Sequence, residues 1–320
     1  MTSAILGTGS SLPENIVTNK DLTNIVNTSD EWISNRTGIN SRRISTGETT
    51  VTLSIDAANK ALNDSKLPPE KLDLIIVATL TPDGCMPSTA CKVQAAIGAK
   101  NAMCYDINAA CTGFMYAMQT AHAFITSGLI NHALVIGAET LSKIIDWSDR
   151  GTCVLFGDGA GAAILGAANK GILAIESGAD GGKGNVLTCG NRPLVNPFTQ
   201  NTPSNKYVEM DGQEVFKFAT RKIPYIIEQL ISKSSKNIDD IDKILLHQAN
   251  KRIIQFAAKR LNLSADLFPI NLDKYGNTSA ASIAILLDEV LHNRTIKSGD
   301  LVALAGFGGG LTWAGLLLEV

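Results

Sequence analysis

Cys111 stands where a β-rich run, Ala102-Met-Cys-Tyr-Asp-Ile-Asn-Ala-Ala, gives way to a long amphipathic stretch, Thr112-Gly-Phe-Met-Tyr-Ala-Met-Gln-Thr-Ala. The pattern predicts a strand, a tight turn of small residues and a helix beginning at about Cys111. A thiol at that point faces backbone N–H groups without helical partners, at the positive end of the helix dipole, which favours thiolate over thiol. Such a group is a nucleophile for acyl carbon. Ala109, Ala110 and Gly113 leave room for a substrate carbonyl close to the backbone. A structural cysteine in a tight turn would show the same pattern. The remaining cysteines, Cys85, Cys91, Cys104, Cys153 and Cys189, form no CxxC pair. Neither a zinc spacing nor a dense disulfide framework is present, so reduced thiols and no metal are expected.

The second part of the chain supplies partners for a thiol. His247 closes the apolar run Ile244-Leu-Leu and precedes Gln248-Ala-Asn and a helix, a position at a strand end that His122, His132 and His292 do not share. Those three lie in or beside ordinary helix patterns and read as packed or surface residues. Asn277 lies in Lys274-Tyr-Gly-Asn-Thr-Ser-Ala-Ala-Ser, where a Gly-Asn turn alone would justify an asparagine. Further on, Gly308 and Gly309 open a glycine triplet after an apolar strand, permitting close backbone approach or unusual dihedral angles.

Strand-like and helix-like runs alternate around these residues: Leu74-Ile-Ile-Val-Ala, Ser88 to Ile97, Ala102 to Ile107, Cys111 to Ser127, then Ala133-Leu-Val-Ile. This is an α/β pattern with helices packed on buried sheets. The order recurs. Leu72-Asp-Leu-Ile-Ile-Val corresponds to Ile241-Asp-Lys-Ile-Leu-Leu, and Phe124 to Gly137 corresponds to Asn293 to Gly306. Both pairs are offset by about 170 positions, as in a duplicated unit. The expected halves are 1–169, carrying the cysteine, and 170–320, carrying the histidine and asparagine. Ligands in open sheets gather at strand C-terminal ends, so the site is expected where the halves meet. Gly181 to Tyr207, rich in Gly, Asn, Pro and Thr, reads either as a substrate loop or as a surface insertion. Phe156-Gly-Asp-Gly-Ala-Gly lacks the spacing of a dinucleotide loop and reads as a strand connection.

At 320 residues with 45% hydrophobic and 18% charged side chains, the chain can bury a large core. Its net charge of −2 and pI near 6.1 speak against a nucleic-acid partner, which normally demands a basic excess. No basic leader or apolar span stands out, so a cytoplasmic protein without a membrane partner is expected. Thr28-Ser-Asp-Glu fits a capping box, placing Trp32 and Arg36 four apart on one helix face before Gly38. An indole beside a guanidinium suits an adenine and a phosphate, and equally an ordinary buried tryptophan with a surface arginine. Arg252, Gln255 and Lys259 share a helix face with Arg260 beside them, while Ile253, Phe256 and Ala257 are expected to point inward. Lys217 and Arg221 form a second basic face. Such patches can dock an acidic protein or be plain solvated surface.

Together, Asp106-Ile-Asn-Ala-Ala-Cys-Thr-Gly-Phe, His247-Gln-Ala-Asn, Gly276-Asn-Thr-Ser-Ala-Ala-Ser and Gly306-Phe-Gly-Gly-Gly-Leu-Thr-Trp resemble β-ketoacyl-[acyl-carrier-protein] synthase III, in the family's order and along the whole chain from Gly7. The resemblance implies the thiolase-like α/β fold: duplicated βαβαβαββ halves in a five-layer αβαβα sandwich, usually a homodimer. It implies a decarboxylative condensation in fatty acid biosynthesis. Cys111 would take an acyl group from acyl-CoA, acetyl-CoA being the first expectation, and malonyl-ACP would attack that thioester. His247 and Asn277 would donate hydrogen bonds to the malonyl thioester oxygen, and the N–H groups of Cys111 and of Gly308 or Gly309 would form the oxyanion hole. CoA would be met by Thr28, Trp32, Arg36, Arg150 and Gly151 at the entrance and by Gly212, Phe216, Ala249 and Asn250 along the pantetheine channel. Lys217, Arg221, Gln248, Arg252, Lys259 and Arg260 would receive the acyl carrier protein, and Met86 and Phe156 would bound the acyl pocket. Met86 departs from the Phe that many relatives carry before Pro, leaving longer or branched acyl groups open. A specialised paralogue acting on other CoA thioesters, a non-catalytic acyl-binding subunit and a cysteine hydrolase are the competing readings.

Overall fold

The computed structural model describes residues 1–190, 194–199 and 205–320. Two sheets carry the architecture. In the first, the strands run in the order Thr2–Ser11, Gly159–Ala168, His132–Glu139, Leu74–Ala78 and Met103–Ile107. The second follows the same order with Ile172–Ala179, Thr312–Glu319, Leu301–Gly308 and Lys243–Leu246. Directions match as well: in each sheet the third and fourth strands are parallel and the earlier pairs antiparallel. Leu74 and Lys243 open equivalent strands, as do His132 and Leu301, each pair 169 positions apart.

Strands buried on both faces need continuous apolar runs, and Leu74-Ile-Ile-Val-Ala is wholly buried. One face of the first sheet packs on helices Thr50–Ser65 and Thr89–Ile97, the latter capped by Ser88, whose side chain accepts from the Cys91 N–H. The other face meets helices Gly113–Thr126 and Ala281–His292, and these also meet the second sheet. Beyond that sheet lie helices Gly212–Ser232 and Lys251–Leu261. The result is five layers, helix, sheet, helix, sheet, helix, as the resemblance implies. Among the described residues the second sheet has no counterpart of Met103–Ile107, so the duplication is not complete. Where that strand would fall the chain reads Phe268-Pro-Ile, and proline at 269 cannot donate to a ladder. A short helix, Leu272–Tyr275, follows instead.

The predicted irregular segment Gly181 to Tyr207 is more ordered at its ends than its composition suggests. Gly181–Val186 forms a 3-10 turn, and Leu187–Cys189 pairs antiparallel with Val208–Met210. Residues 191–193 and 200–204 of that segment lie outside the described residues.

The central helices sit unusually close to the first sheet because glycine removes the side chains between them. A Cβ built on Gly137 would lie 2.3 Å from the Ala280 carbonyl oxygen. Gly137→Ala is therefore expected to destabilise the protein by about 1–3 kcal/mol in denaturant titration, the cost of overpacking a full core. Gly47→Ala, where nothing lies within 4 Å, should stay within about 0.5 kcal/mol of the parent.

Candidate active site

Cys111 lies in a 3-10 turn, Ala110–Thr112, immediately before helix Gly113–Thr126. The turn is held from within by Thr112, whose N–H and hydroxyl both reach the Ala109 carbonyl at 3.1 and 2.7 Å. From the second half, the Thr312 hydroxyl meets that of Thr112 at 2.9 Å. Gly308 is pressed against the cysteine itself: a Cβ there would stand 2.8 Å from the Cys111 amide nitrogen. Gly309 is less crowded, the nearest atom to its Cβ position being Ala110 Cβ at 3.5 Å. Backbone from both halves thus converges around one thiol.

The expectation that the helix start leaves Cys111 as a thiolate needs correction. The residue is only 9% exposed, and burial pushes its thiol up to about 12, with the nearby Glu139 carboxyl adding to the rise and Ser279 opposing it. Burial disfavours the charged form, and the first turn of the helix lies beyond the cysteine. At rest the group is a neutral thiol.

His247 follows strand Lys243–Leu246 and stays in register with the second sheet through its N–H to the Ala305 carbonyl at 3.0 Å. Its ring is 1% exposed, packs edge-on against Phe307 with centroids 5.5 Å apart, and is driven down to about 3 by burial, so it is neutral near pH 7. The Ser282 hydroxyl lies 2.6 Å from Nδ1. The Gln248 N–H donates to that same oxygen at 3.5 Å, an arrangement in which Ser282 can donate to Nδ1. The imidazole proton is then left on Nε2 as a donor.

Asn277 is aimed by the connection before helix Ala281–His292. Its N–H donates to the Leu155 carbonyl at 2.8 Å and its carbonyl accepts from Gly157 at 3.0 Å, forming a bridge beside Phe156. Gly276 makes this possible with a φ of 66° and a Cβ position 2.7 Å from the Leu155 carbonyl. The Asn277 side-chain oxygen accepts from the Ser279 N–H at 2.8 Å, so its NH2 is the end available to a ligand. Asn277 and His247 therefore present the same chemistry, neutral N–H donors. Phe156 is buried beside Asn277, whereas Met86 is 87% exposed on this chain.

At the surface, helix Asp30–Thr37 carries Trp32 with two guanidinium groups over its ring: Arg36 and Arg150 each place Cζ 4.7 Å from the indole centroid. The capping box is corrected. Ser29, not Thr28, is the N-cap, its hydroxyl accepting from the Trp32 N–H at 3.1 Å, and Gly38 ends the helix in the left-handed conformation. Thr28 Oγ1 is buried without a hydrogen-bond partner, and Gly151 is exposed next to Arg150. Arg42, not singled out from the sequence, ties these parts together. Its wholly buried guanidinium donates to the Val17 and Val154 carbonyls and to Asn19, which in turn donates to Asp30 at the start of the Trp32 helix. Burial lowers Arg42 to about 10, which leaves it charged.

The second half meets the Trp32 helix. Asn250, N-cap of helix Lys251–Leu261, donates through its side chain to the Arg36 carbonyl at 3.1 Å, and Ala249 is half-buried beside it. Arg252 lies over the Phe216 ring at 5.7 Å, while Gly212 and Phe216 fall in the first turns of helix Gly212–Ser232. Arg221, Arg252, Lys259 and Arg260 are exposed. Lys217 is exposed too, but its ammonium is paired with Glu214 at 2.7 Å. Gln248 is wrongly placed on that surface by the sequence reading: it is wholly buried, donating to Leu246 O at 2.7 Å and accepting from the Asn271 and Leu272 N–H groups. Phe256 is likewise not inward, being 42% exposed.

Comparison with known proteins decides the family. Family models described as 3-Oxoacyl-[acyl-carrier-protein (ACP)] synthase III and its C-terminal part match residues 105–181 and 231–320. A β-ketoacyl-[acyl-carrier-protein] synthase III of Clostridium acetobutylicum is 53% identical over 98% of both chains. The chain belongs to the β-ketoacyl-[acyl-carrier-protein] synthase III family. Among solved structures, the synthase III of Aquifex aeolicus VF5 superposes with a TM-score of 0.93 at 45% identity over 99% of this chain and 100% of that one. A priming β-ketosynthase from the R1128 polyketide pathway reaches the same TM-score at 32% identity, over 100% and 96%. Among the described residues no helix is long and apolar enough to cross a membrane, and no group of three or more His, Cys, Asp and Glu is gathered that could hold a metal ion.

A neutral, desolvated Cys111 has a direct consequence. The thiolate absorbance at ~240 nm, taken as the difference between the parent and Cys111→Ala, should not appear below about pH 10. Thiolate absorbance already present at neutrality would show a resting thiolate.

Proposed function

We propose that this chain is a condensing enzyme that loads an acyl group from acyl-CoA onto Cys111 and joins it to the malonyl group of malonyl-ACP, opening fatty acid synthesis. The observation that carries the reading is strand Leu301–Gly308, whose Gly308 lies against the buried Cys111 and whose Gly306 lies against His247, a neutral N–H donor like Asn277; at the surface, two guanidinium groups lie by the Trp32 indole. Adenine stacks on an aromatic face, and phosphates accept from arginine. Thr28, Trp32, Arg36, Arg150 and Gly151 would meet the nucleotide end of CoA, and Gly212, Phe216, Ala249 and Asn250 the pantetheine.

Loading forms a bond from Cys111 Sγ to the acyl carbon and breaks the bond to CoA sulfur. The tetrahedral oxyanion is stabilised by the Cys111 N–H and one from Gly308 or Gly309. In the second stage, malonyl-ACP loses CO2, and negative charge gathers on its thioester oxygen. A cation there would have to be desolvated in a dry site, whereas neutral Nε2–H and amide NH2 donors are already in place. The enolate carbon then attacks the acyl-Cys111 thioester and expels the cysteine.

For the carrier protein, exposed Arg252, Lys259, Arg260 and Arg221 offer a basic approach in an otherwise slightly acidic chain, with Lys217 contributing less because Glu214 neutralises it. The homodimer is supported by strand Met103–Ile107, which ends the first sheet with one edge unpaired among the described residues. Exposed Met86 on the neighbouring loop suits an acyl pocket closed by a second copy. The enzyme would then work in the cytoplasm, as two halves, 1–169 and 170–320, around one site.

Two measurements check this. Incubation with acetyl-CoA should add one acetyl group, seen by intact-protein mass spectrometry, and Cys111→Ala should abolish it; an adduct on another cysteine sinks the assignment. Arg150→Ala should weaken CoA binding roughly 5- to 30-fold, or about 1–2 kcal/mol, read from quenching of Trp32 fluorescence.

A further inference from the structure

Acyl transfer from a neutral thiol requires somewhere for the proton to go. His247 is a poor acceptor, because burial holds it down to about 3. Another group is closer to the task. Glu139, the last residue of strand His132–Glu139, is wholly buried and pairs across the sheet with Gly159. Its carboxyl accepts from the Thr79 hydroxyl at 3.3 Å, the Leu80 N–H at 3.2 Å and the Thr81 hydroxyl. Ser279 stands beside both Glu139 and Cys111, yet its buried hydroxyl meets the geometry of a hydrogen bond with neither. That side chain is presented by a backbone with φ of 49°, in the left-handed region serine seldom occupies, pinned by the Asn277 side-chain oxygen. A buried hydroxyl with a free rotor, held by strain between a thiol and a carboxyl, is arranged to pass a proton.

Resting on the function proposed above, the geometry points to Glu139 as the positioning residue that holds the Cys111 proton during acylation, reached through the Ser279 hydroxyl. The thiol proton passes to Ser279 Oγ while the Ser279 proton passes to the Glu139 carboxylate. Sγ bonds to the acyl carbon, and CoA leaves as a thiolate that takes its proton from water. When the condensation later expels Cys111 as a thiolate, Glu139 returns the proton by the same route. No oxidant or further reactant is needed. Charge supports the direction: Glu139 and Cys111 share a space too dry for two anions, so the thiolate forms as the carboxyl is neutralised. Burial raises Glu139 to about 7, which makes it a carboxylate with real proton affinity. Other charged groups on the surrounding elements are engaged elsewhere. Lys143 donates to the Thr81 and Pro82 carbonyls and pairs with Asp83; Asp158 accepts from Ser142 and the Ser45 N–H; Asp106 accepts from the Thr89 and Ala90 N–H groups.

The test follows acylation alone, with acetyl-CoA and no malonyl substrate, by acid quench and intact-mass spectrometry across pH. The parent rate should rise with pH and level off above about 7. Glu139→Gln, which keeps the shape and loses the basicity, should acylate roughly 10²- to 10⁴-fold more slowly at neutral pH and lose that inflection. Glu139→Asp should keep the inflection. Ser279→Ala should behave as Glu139→Gln does, and the double variant should lose little more, since both act on one path. If Glu139→Gln does not fold, as judged by its thermal melt, Ser279→Ala carries the same prediction. Parent-like rates and profiles in both variants, or slower rates with the parent inflection intact, would overturn the relay alone. No adduct on the parent protein would overturn the proposed function and the relay with it.

Discussion

Backbone from one half touching backbone from the other is the contact on which the site depends. Gly308, closing strand Leu301–Gly308, lies against the Cys111 amide, and Gly137, in the equivalent strand of the first sheet, lies against the Ala280 carbonyl. Each glycine admits an element that a Cβ would force to shift. One contact brings a potential oxyanion donor to the nucleophile; the other seats the helix that begins beyond Asn277 and Ser279. Catalytic geometry and core packing are here a single constraint.

Tight packing also dries the site, and drying sets the ionisation states. Cys111, His247 and Glu139 all move toward their neutral forms, the thiol and carboxyl upward and the imidazole downward. A neutral imidazole is the form wanted of a hydrogen-bond donor toward a developing enolate. A neutral thiol is not the form wanted of a nucleophile. The same burial therefore makes one residue ready and leaves the other in need of a proton acceptor.

Much of this was legible in the chain. Apolar runs bounded by turn residues located the inner strands and the helices, because burial on both faces demands continuous hydrophobicity. His247 was conspicuous as a polar residue closing such a run. What stayed hidden depends on contacts between positions far apart. Ser282 lies in an ordinary-looking helix until His247 is found 2.6 Å away, and Arg42 looks like a surface arginine until the elements it joins are assembled. Gln248 departs from what the resemblance implies for a related reason: the connection turns it into the core to bond Asn271 and Leu272, contacts that its neighbours in the chain do not reveal. The ionisation of Cys111 was misjudged because helix starts are local features, whereas desolvation is set by everything packed around them.

Entrance and interior are joined through main-chain groups more than through charge. Asn250 caps the helix following His247 and also holds the Arg36 carbonyl, so the segment that carries the imidazole and the segment that carries Trp32 share one side chain. Arg42 does the same between Val154, one residue from the Leu155 carbonyl that fixes Asn277, and Asn19, which steadies the start of the Trp32 helix. A cation buried among carbonyls loses less on desolvation when each donor has a partner, yet Arg42 Nε has none, so this link is held against an electrostatic cost. Positional definition is what such a group contributes. It keeps the Trp32 helix and the Asn277 turn at a fixed separation.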